Sequence, residues 1–373
     1  MPNLRRFMMG AAGAVESGYS LWSWGRGDQG ATGLNVGINK SSPTQIGTGA
    51  GWAMIGGGQG SAFGIKDTGA LFAWGNNSNG RLGLGTSPSV DVSSPVQVGS
   101  LTNWSKVSGR GVSGGTSGIK TDGTLWAWGK NNFGQLGMGD LVYRSSPVQV
   151  GSLTTWESVT NGYAVTLAVK TDGTLWAWGW NQHGQLGQGN GEGFRQSSPI
   201  QIGGLTTWHS GSTRGEHMMA RLDDGKLYVW GRGTDGRLGL GDQIYKSSPT
   251  QVGSLTDWAY LGAGDYNSLA VKSDGTLWGW GANQDGRLGD GTKISRSSPV
   301  QVGSATNWAK VWANNNFTLA LTTDGTLWAW GASNRGQVGQ GNIIYHSVPV
   351  QIGSLTNWVQ GAVGTQVGFG LQE

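Results

Sequence analysis

Seven times, at steps of 50 to 54 residues, the chain returns to an aromatic residue, a spacer, a tryptophan and a glycine. The tryptophans are Trp24, Trp74, Trp128, Trp178, Trp230, Trp280 and Trp330, each followed at once by glycine. The first aromatic is tryptophan in five copies (Trp22, Trp126, Trp176, Trp278, Trp328), with Phe72 and Tyr228 in the other two. A period near 50 residues restricts the chain to a solenoid, a propeller or an array, because a unit that short cannot bury its apolar face alone. For 373 residues, that repeat replaces the two or three domains suggested by length.

Each unit reads as strands and turns. L-W-x-W-G runs into a polar loop, G-x-N-x-x-G-[QR]-L-G-x-G, as over 129–139, and then into a variable tip. Ser-Ser-Pro follows, opening a short alternating strand such as Pro147-Val148-Gln149-Val150. Gly151-Ser152-Leu153-Thr154 turns toward a strand opened by Trp156, and a fourth strand over 166–170 ends at Thr171-Asp172-Gly173. Proline at a strand's first residue sacrifices no ladder bond. The Asp-Gly pairs at Asp122, Asp172, Asp224, Asp274 and Asp324 join alternating apolar runs, which predicts type I′ hairpins. Four short antiparallel strands per unit make a propeller blade. The predicted fold is therefore all-β, a seven-bladed propeller of four-stranded antiparallel blades.

The two ends of the repeat region complement each other. Gly370-Leu371-Gln372-Glu373 aligns with Gly118-Ile119-Lys120-Thr121, and Ser20-Leu21-Trp22 aligns with Thr124-Leu125-Trp126. The chain is cut where other units carry their Asp-Gly turn. Its C-terminal strand is thus expected to pair with its N-terminal one in a shared blade, closing the ring and hiding two sheet edges.

Only 12% of residues are charged, and nineteen of the 21 tryptophans fall in three repeat slots. Those tryptophans read as packing between blades. The net charge of +4 is spread over all units and does not point to nucleic acid. The absence of cysteine excludes disulfides, thiolate metal sites and thiol nucleophiles. No apolar run reaches the length of a membrane span. Residues 1–18 stand outside the propeller, which occupies 19–373. This tail reads as a docking segment for assembly, with Arg5, Arg6, Phe7, Met8 and Met9 as its contacts. Other readings are a packed terminus or a secretory signal cut after Ala12-Gly13-Ala14.

With these positions assigned, the pattern L-W-A-W-G-x-N-x-x-G-Q-L-G-x-G, then S-S-P, then T-D-G, resembles the regulator of chromosome condensation repeat over 19–373. The resemblance implies a seven-bladed ring closed by a shared blade. It does not select a function, because members include an exchange factor for a small nuclear GTPase, a plant ultraviolet-B photoreceptor and a secreted β-lactamase inhibitor. The G-x-x-H-T frequent in eukaryotic members stands here as Gly162-Tyr163-Ala164-Val165-Thr166, and only His217 keeps a histidine near that point. The photoreceptor's G-W-R-H-T is absent. The near-identity of the copies and the N-terminal segment are similar to phage or bacterial surface proteins with such repeats.

Catalytic and cofactor motifs dissolve into the repeat. G-x-G-x-x-G occurs at 25–30 and 231–236, but in a loop shared by all units and not between a strand and a helix. Arg26-Gly27-Asp28 is an attachment tripeptide drawn from the same loop. His183, His209, His217 and His346 occupy unrelated slots without metal spacing. The expectation is no catalytic residue, no metal and no cofactor.

The long-loop face offers more. Aromatic-then-basic pairs precede Ser-Ser-Pro at Tyr143-Arg144, Phe194-Arg195 and Tyr245-Lys246, and Tyr345-His346 precedes Ser-Val-Pro; Lys40 and Arg296 fall in equivalent places, while Val92 breaks the pattern. One reading makes each aromatic a shield for a blade joint and each cation a snorkelling neighbour. The other makes a rim that grips an acidic protein or a charged glycan. The expected function is a non-enzymatic structural or adhesive module of a phage virion (fibre, tail or capsid decoration) or extracellular surface. Its expected partners are other virion or surface proteins in an oligomeric assembly and a host receptor or glycan. The alternative is a protein-binding propeller acting as an exchange factor or enzyme inhibitor.

Overall fold

A computed structural model describes residues 18–85, 90–109, 115–190 and 193–373. The docking segment with Arg5, Arg6, Phe7, Met8 and Met9 lies outside the described residues. The strands form seven four-stranded antiparallel sheets. Blade 3 shows the plan: Trp156–Asn161 innermost, then Val165–Lys170, Leu175–Gly179 and the outer strand Gln196–Gln201. Blades 1 to 6 begin at Trp52, Trp104, Trp156, Trp208, Trp258 and Trp308. Innermost strands of neighbouring blades touch one another around the axis. Burial follows this order, since the second and third strands of a blade are almost wholly buried and the outer strand is only half-buried.

Blade 7 closes the ring as expected. Its strands are Trp358–Gly364 and Val367–Gln372 from one end of the chain, and Ser20–Gly25 and Lys40–Gln45 from the other. They join in unbroken register from Ser20 opposite Gln372 to Gly25 opposite Val367.

Three tryptophan slots lock each joint. The second tryptophan of the motif is fully buried in every blade. Its indole N–H donates to a carbonyl of the preceding blade's long loop: Trp178 to Gln135 at 3.0 Å, Trp280 to Arg237 at 3.0 Å, Trp24 to Gln337 at 2.9 Å. Trp74 lacks this bond and adjoins the loop that carries Ala31 at that position. The third-slot ring stands edge-on to both others, as Trp156 does against Trp176 and Trp178 at 6.1 and 5.9 Å. Edge-to-face contact is the arrangement that ring quadrupoles favour.

Two local expectations are corrected. The Asp-Gly turns are not type I′, which needs positive φ at both residues. Gly123 sits at φ +77°, but none of the five aspartates is left-handed. Lys120 O instead accepts from Gly123 N at 3.0 Å, and Lys120 N donates to Thr124 O at 3.0 Å. This is the three-residue loop, a tight turn followed by a left-handed glycine. Asp122 Oδ1 fixes it by accepting from Thr124 N and Oγ1, and Trp126 Nε1 donates to that hydroxyl at 2.8 Å. These bonds hold the Asp122 carboxyl below its usual range. Proline, second, is not the first residue of its strand. The outer strand of blade 2 is Arg144–Gln149, and Pro147 falls where the register shifts between Arg144 and Val148. An edge strand with a bulge tolerates a residue without an N–H.

Candidate binding face

Strand alternation puts the long loops and the loops after the innermost strands on one face, with the Asp-Gly turns on the other. Bonds between loops confirm this, as Arg237 Nη1 donates to Asp265 O at 3.0 Å and Arg81 Nη1 to Gln59 O at 2.8 Å. One buried arginine crosses the ring at this face. Arg214, 1% exposed at its side chain, lies 3.3 Å from Asp265 and donates across the ring to Val363 O at 3.2 Å. Burial pulls its pKa down and Asp265 opposes that shift. His217, fully buried beneath, meets Ser268 Oγ at 2.8 Å. That hydroxyl donates to Arg237 O at 2.9 Å, so it accepts from His217 Nε2.

The predicted rim residues do reach this face, one pair of them in a different register. Strand pairing sets Lys40, Val92, Arg144, Gln196, Lys246, Arg296 and His346 opposite the glycine that ends each aromatic strand. Phe194 and Arg195 are therefore one residue out of step with Tyr143-Arg144. Three of the cations pair within their own loops. Arg144 pairs with Asp140 at 2.6 Å, Lys246 with Asp242 at 3.1 Å and Arg296 with Asp290 at 2.9 Å. Arg195 donates to Asn132 O at 3.3 Å, and Lys40 and His346 are half-buried. Tyr143, Tyr245 and Tyr345 are exposed. Arg26 and Asp28 of the attachment tripeptide pair with each other, the second contact being Nη2 to Oδ2 at 2.8 Å.

Corrected register brings out a ring that sequence reasoning missed. Five residues before each proline stand Ile38, Val90, Val142, Phe194, Ile244, Ile294 and Ile344, each 59–67% exposed. Side chains hold the backbones of four of them: Asp140 Oδ1 accepts Val142 N at 2.9 Å, Asp242 accepts Ile244 N at 3.0 Å and Asn342 accepts Ile344 N at 2.9 Å. Asn131 donates back to Val142 O and Asn283 to Ile294 O, both at 3.2 Å. The opposite face has its own leucines, Leu101, Leu153, Leu205, Leu255 and Leu355, at 45–48%. Leu153 and Leu355 line grooves of about 490 and 400 Å³ beside Trp156 and Trp358. Such grooves recur from joint to joint.

A second cluster breaks the repeat. Trp180 contacts Phe133 at 5.2 Å, Tyr163 at 5.5 Å and His183 at 5.7 Å, and His183 meets Tyr245 edge-on at 4.9 Å. Glu216 lies 3.9 Å from His183 and pairs with Arg232 at 2.5 Å. Burial lowers the His183 pKa, against the attraction of Glu216. The available signal was Trp180 itself, one of two tryptophans outside the repeat slots; the other, Trp312, is core. Among the described residues no group of acidic residues and histidines could hold a metal.

The Regulator of chromosome condensation (RCC1) repeat matches residues 68–111, 122–169, 172–210, 224–271, 274–321 and 324–371. The chain belongs to this family. It is 29% identical over 236 residues to the ultraviolet-B receptor UVR8 of Arabidopsis thaliana, covering 61% of this chain and 52% of the receptor. It is 26% identical over 248 residues to the human E3 ubiquitin-protein ligase HERC2, covering 64% of this chain and 5% of the ligase. The RCC1-repeat chain thus spans about half of one relative and a small fraction of the other. Human WBSCR16 superposes with TM-score 0.83 at 20% identity, over 95% of this chain and 99% of that one. Prp20p of Saccharomyces cerevisiae, described with its binding to Gsp1p and histones, gives TM-score 0.83 at 19% identity over 95% and 91%. These likenesses show the propeller fold.

Proposed function

We propose that this RCC1-repeat propeller is a binding module that holds one partner protein on its long-loop face. The observation behind this reading is the ring of seven apolar tips, about three-fifths exposed, four of them held at the backbone by side-chain bonds. These tips present a branched or aromatic side chain to water at one slot in every blade, and exposed apolar surface rimmed by polar residues marks interaction sites. Binding sites favour loops that vary on a rigid scaffold. Protein as the partner class fits the yeast neighbour, whose described partners are Gsp1p, histones and Kap60. The relatives favour this reading over the virion-associated one expected from the tail and the near-identical copies. The match to HERC2 covers 5% of that ligase, so ligase activity is not part of the proposal.

The test is crosslinking and co-purification from the cells or particles that make the protein. Val142→Ser, Ile244→Ser, Ile294→Ser and Ile344→Ser together are expected to cut partner retention by at least about tenfold, since anchor losses typically exceed 1 kcal/mol each. Leu153→Ser, Leu205→Ser, Leu255→Ser and Leu355→Ser together are expected to leave it unchanged. The opposite pattern would assign binding to the other face.

A further inference from the structure

We infer that the aromatic strip around Trp180 is the anchor of this face and that its occupant is an acidic protein segment. The segment lays an aromatic or large aliphatic side chain on the rings, between two carboxylates. This rests on the reading that the long-loop face binds a protein, and it names the partner's chemistry. Phe133, Trp180, His183 and Tyr245 form a continuous line of rings, with Tyr163 flanking Trp180. Guanidinium groups bracket it. Exposed Arg195 reaches Asn132 O beside Phe133 at one end, and Arg232 stands at the other with Glu216. Lys130, half-buried, opens the loop that carries Phe133. Among the described residues the cations outnumber the carboxylates: Glu216 is taken by Arg232, and Asp242 by Lys246. Among the described residues, no carboxylate lies within ion-pair distance of Arg195 or Lys130.

The fold does not require these rings. The slot of Trp180 holds Arg26, Asn76, Lys130, Arg232, Ala282 and Ala332 in the other blades. The slot of His183 holds Gln29, Asn79, Phe133, Asp235, Asp285 and Arg335. The strip is also preorganised, which lowers the ordering cost of binding. Trp180 N donates to Ala164 O at 2.9 Å, Tyr163 N to Gly215 O at 2.9 Å and His183 N to Gln185 Oε1 at 2.7 Å. Tryptophan, tyrosine and arginine dominate interface hot spots, and a guanidinium fork matches a carboxylate. A basic segment would meet like charge at Arg195 and Lys130, which selects against it.

A library of short random peptides displayed on yeast, panned on the intact protein, tests this. Enriched peptides should carry two or more Asp or Glu residues around an aromatic or large aliphatic residue. Synthetic copies should bind Trp180→Ala and Arg195→Glu at least about tenfold more weakly than the unaltered protein, and more weakly as salt rises. Trp180→Phe should restore part of the loss. Arg195→Glu alters an exposed side chain, so its effect is not one of folding. Enrichment of basic or uncharged peptides, equal binding to Arg195→Glu, or no enrichment would overturn the inference. Binding that survives both strip variants but falls with Ile244→Ser and Ile294→Ser would keep the face and remove the strip. Sensitivity to Leu205→Ser and Leu255→Ser alone would remove both.

Discussion

At the scale of single residues, His217 is the group whose burial leaves a pH signature. It is 0% exposed, its Nε2 donates to Ser268, and burial beside Arg237 pushes its pKa down to about 3. An unfolded histidine titrates near 6.5. Below that pH the unfolded chain takes a proton that the folded chain refuses, so stability is full above about 6.5 and falls as pH drops toward 3. The slope approaches about 1.4 kcal/mol per pH unit for one proton. Asp122, Asp172, Asp274 and Asp324 have lowered pKa values, set first by bonds from neighbouring threonines, and act only near and below 4. Urea unfolding between pH 6.5 and 4.5 therefore reads mainly the histidines, among which burial also lowers the pKa of His183. His217→Asn, the residue that blade 5 uses at this slot as Asn267, is expected to remove about one proton's worth of slope. An unchanged slope would mean that His217 is not buried as a neutral ring.

At the scale of elements, one glycine ties each long loop to the next blade. Gly137 has φ +76°, and a Cβ there would lie 2.7 Å from Trp178 Nε1. Gly33, Gly83, Gly239, Gly289 and Gly339 meet their tryptophans within 3.0 Å in the same way. Gly151 has φ +61° with nothing within 4 Å of the added carbon. Gly151→Ala should cost only the left-handed penalty of about 1–2 kcal/mol, and Gly137→Ala about 1–3 kcal/mol more for overpacking. Equal denaturation midpoints for the two would refute the contact. The blades, their order and their closure were legible because spacing and turn chemistry recur seven times. The Asp-Gly loop was misjudged because aspartate's side-chain bonds to Thr124, invisible in a two-residue motif, decide the turn. Phe194 was placed in the wrong slot because aromatic identity outweighed its distance from Pro199. The tip ring escaped because exposure is not written in a sequence. Phe133, Tyr163 and His183 escaped because they come from different loops, and only folding brings them to Trp180.

At the scale of the whole molecule, stability belongs to the closed ring. Trp24 reaches Gln337 across 313 residues, and Arg214 crosses the axis to Val363. Tyr19 exchanges backbone bonds with Trp52 at 3.0 and 3.1 Å, tying blade 7 to blade 1. The strand Val367–Gln372 is the joint, buried along its length, and carries Val367, Phe369 and Leu371 into the core. Removing 365–373 leaves the strand Ser20–Gly25 without its inner partner and opens two unpaired edges. In a linear solenoid that loss would be local, because each repeat depends only on its neighbours. In a ring it unlocks both flanking joints, so the truncated chain is expected to lose its single cooperative transition and to aggregate. A permutant joins the two termini by a short glycine linker and opens the chain at Asp172-Gly173. It keeps every strand and moves the break to an equivalent turn, where strands of one blade again come from both ends. It is expected to melt cooperatively, close to the parent, while the truncation does not. If the truncated chain melts like the full one, the joint in blade 7 does not hold the ring. If the permutant fails while the parent folds, the position of the break matters, and the seven joints are not equivalent.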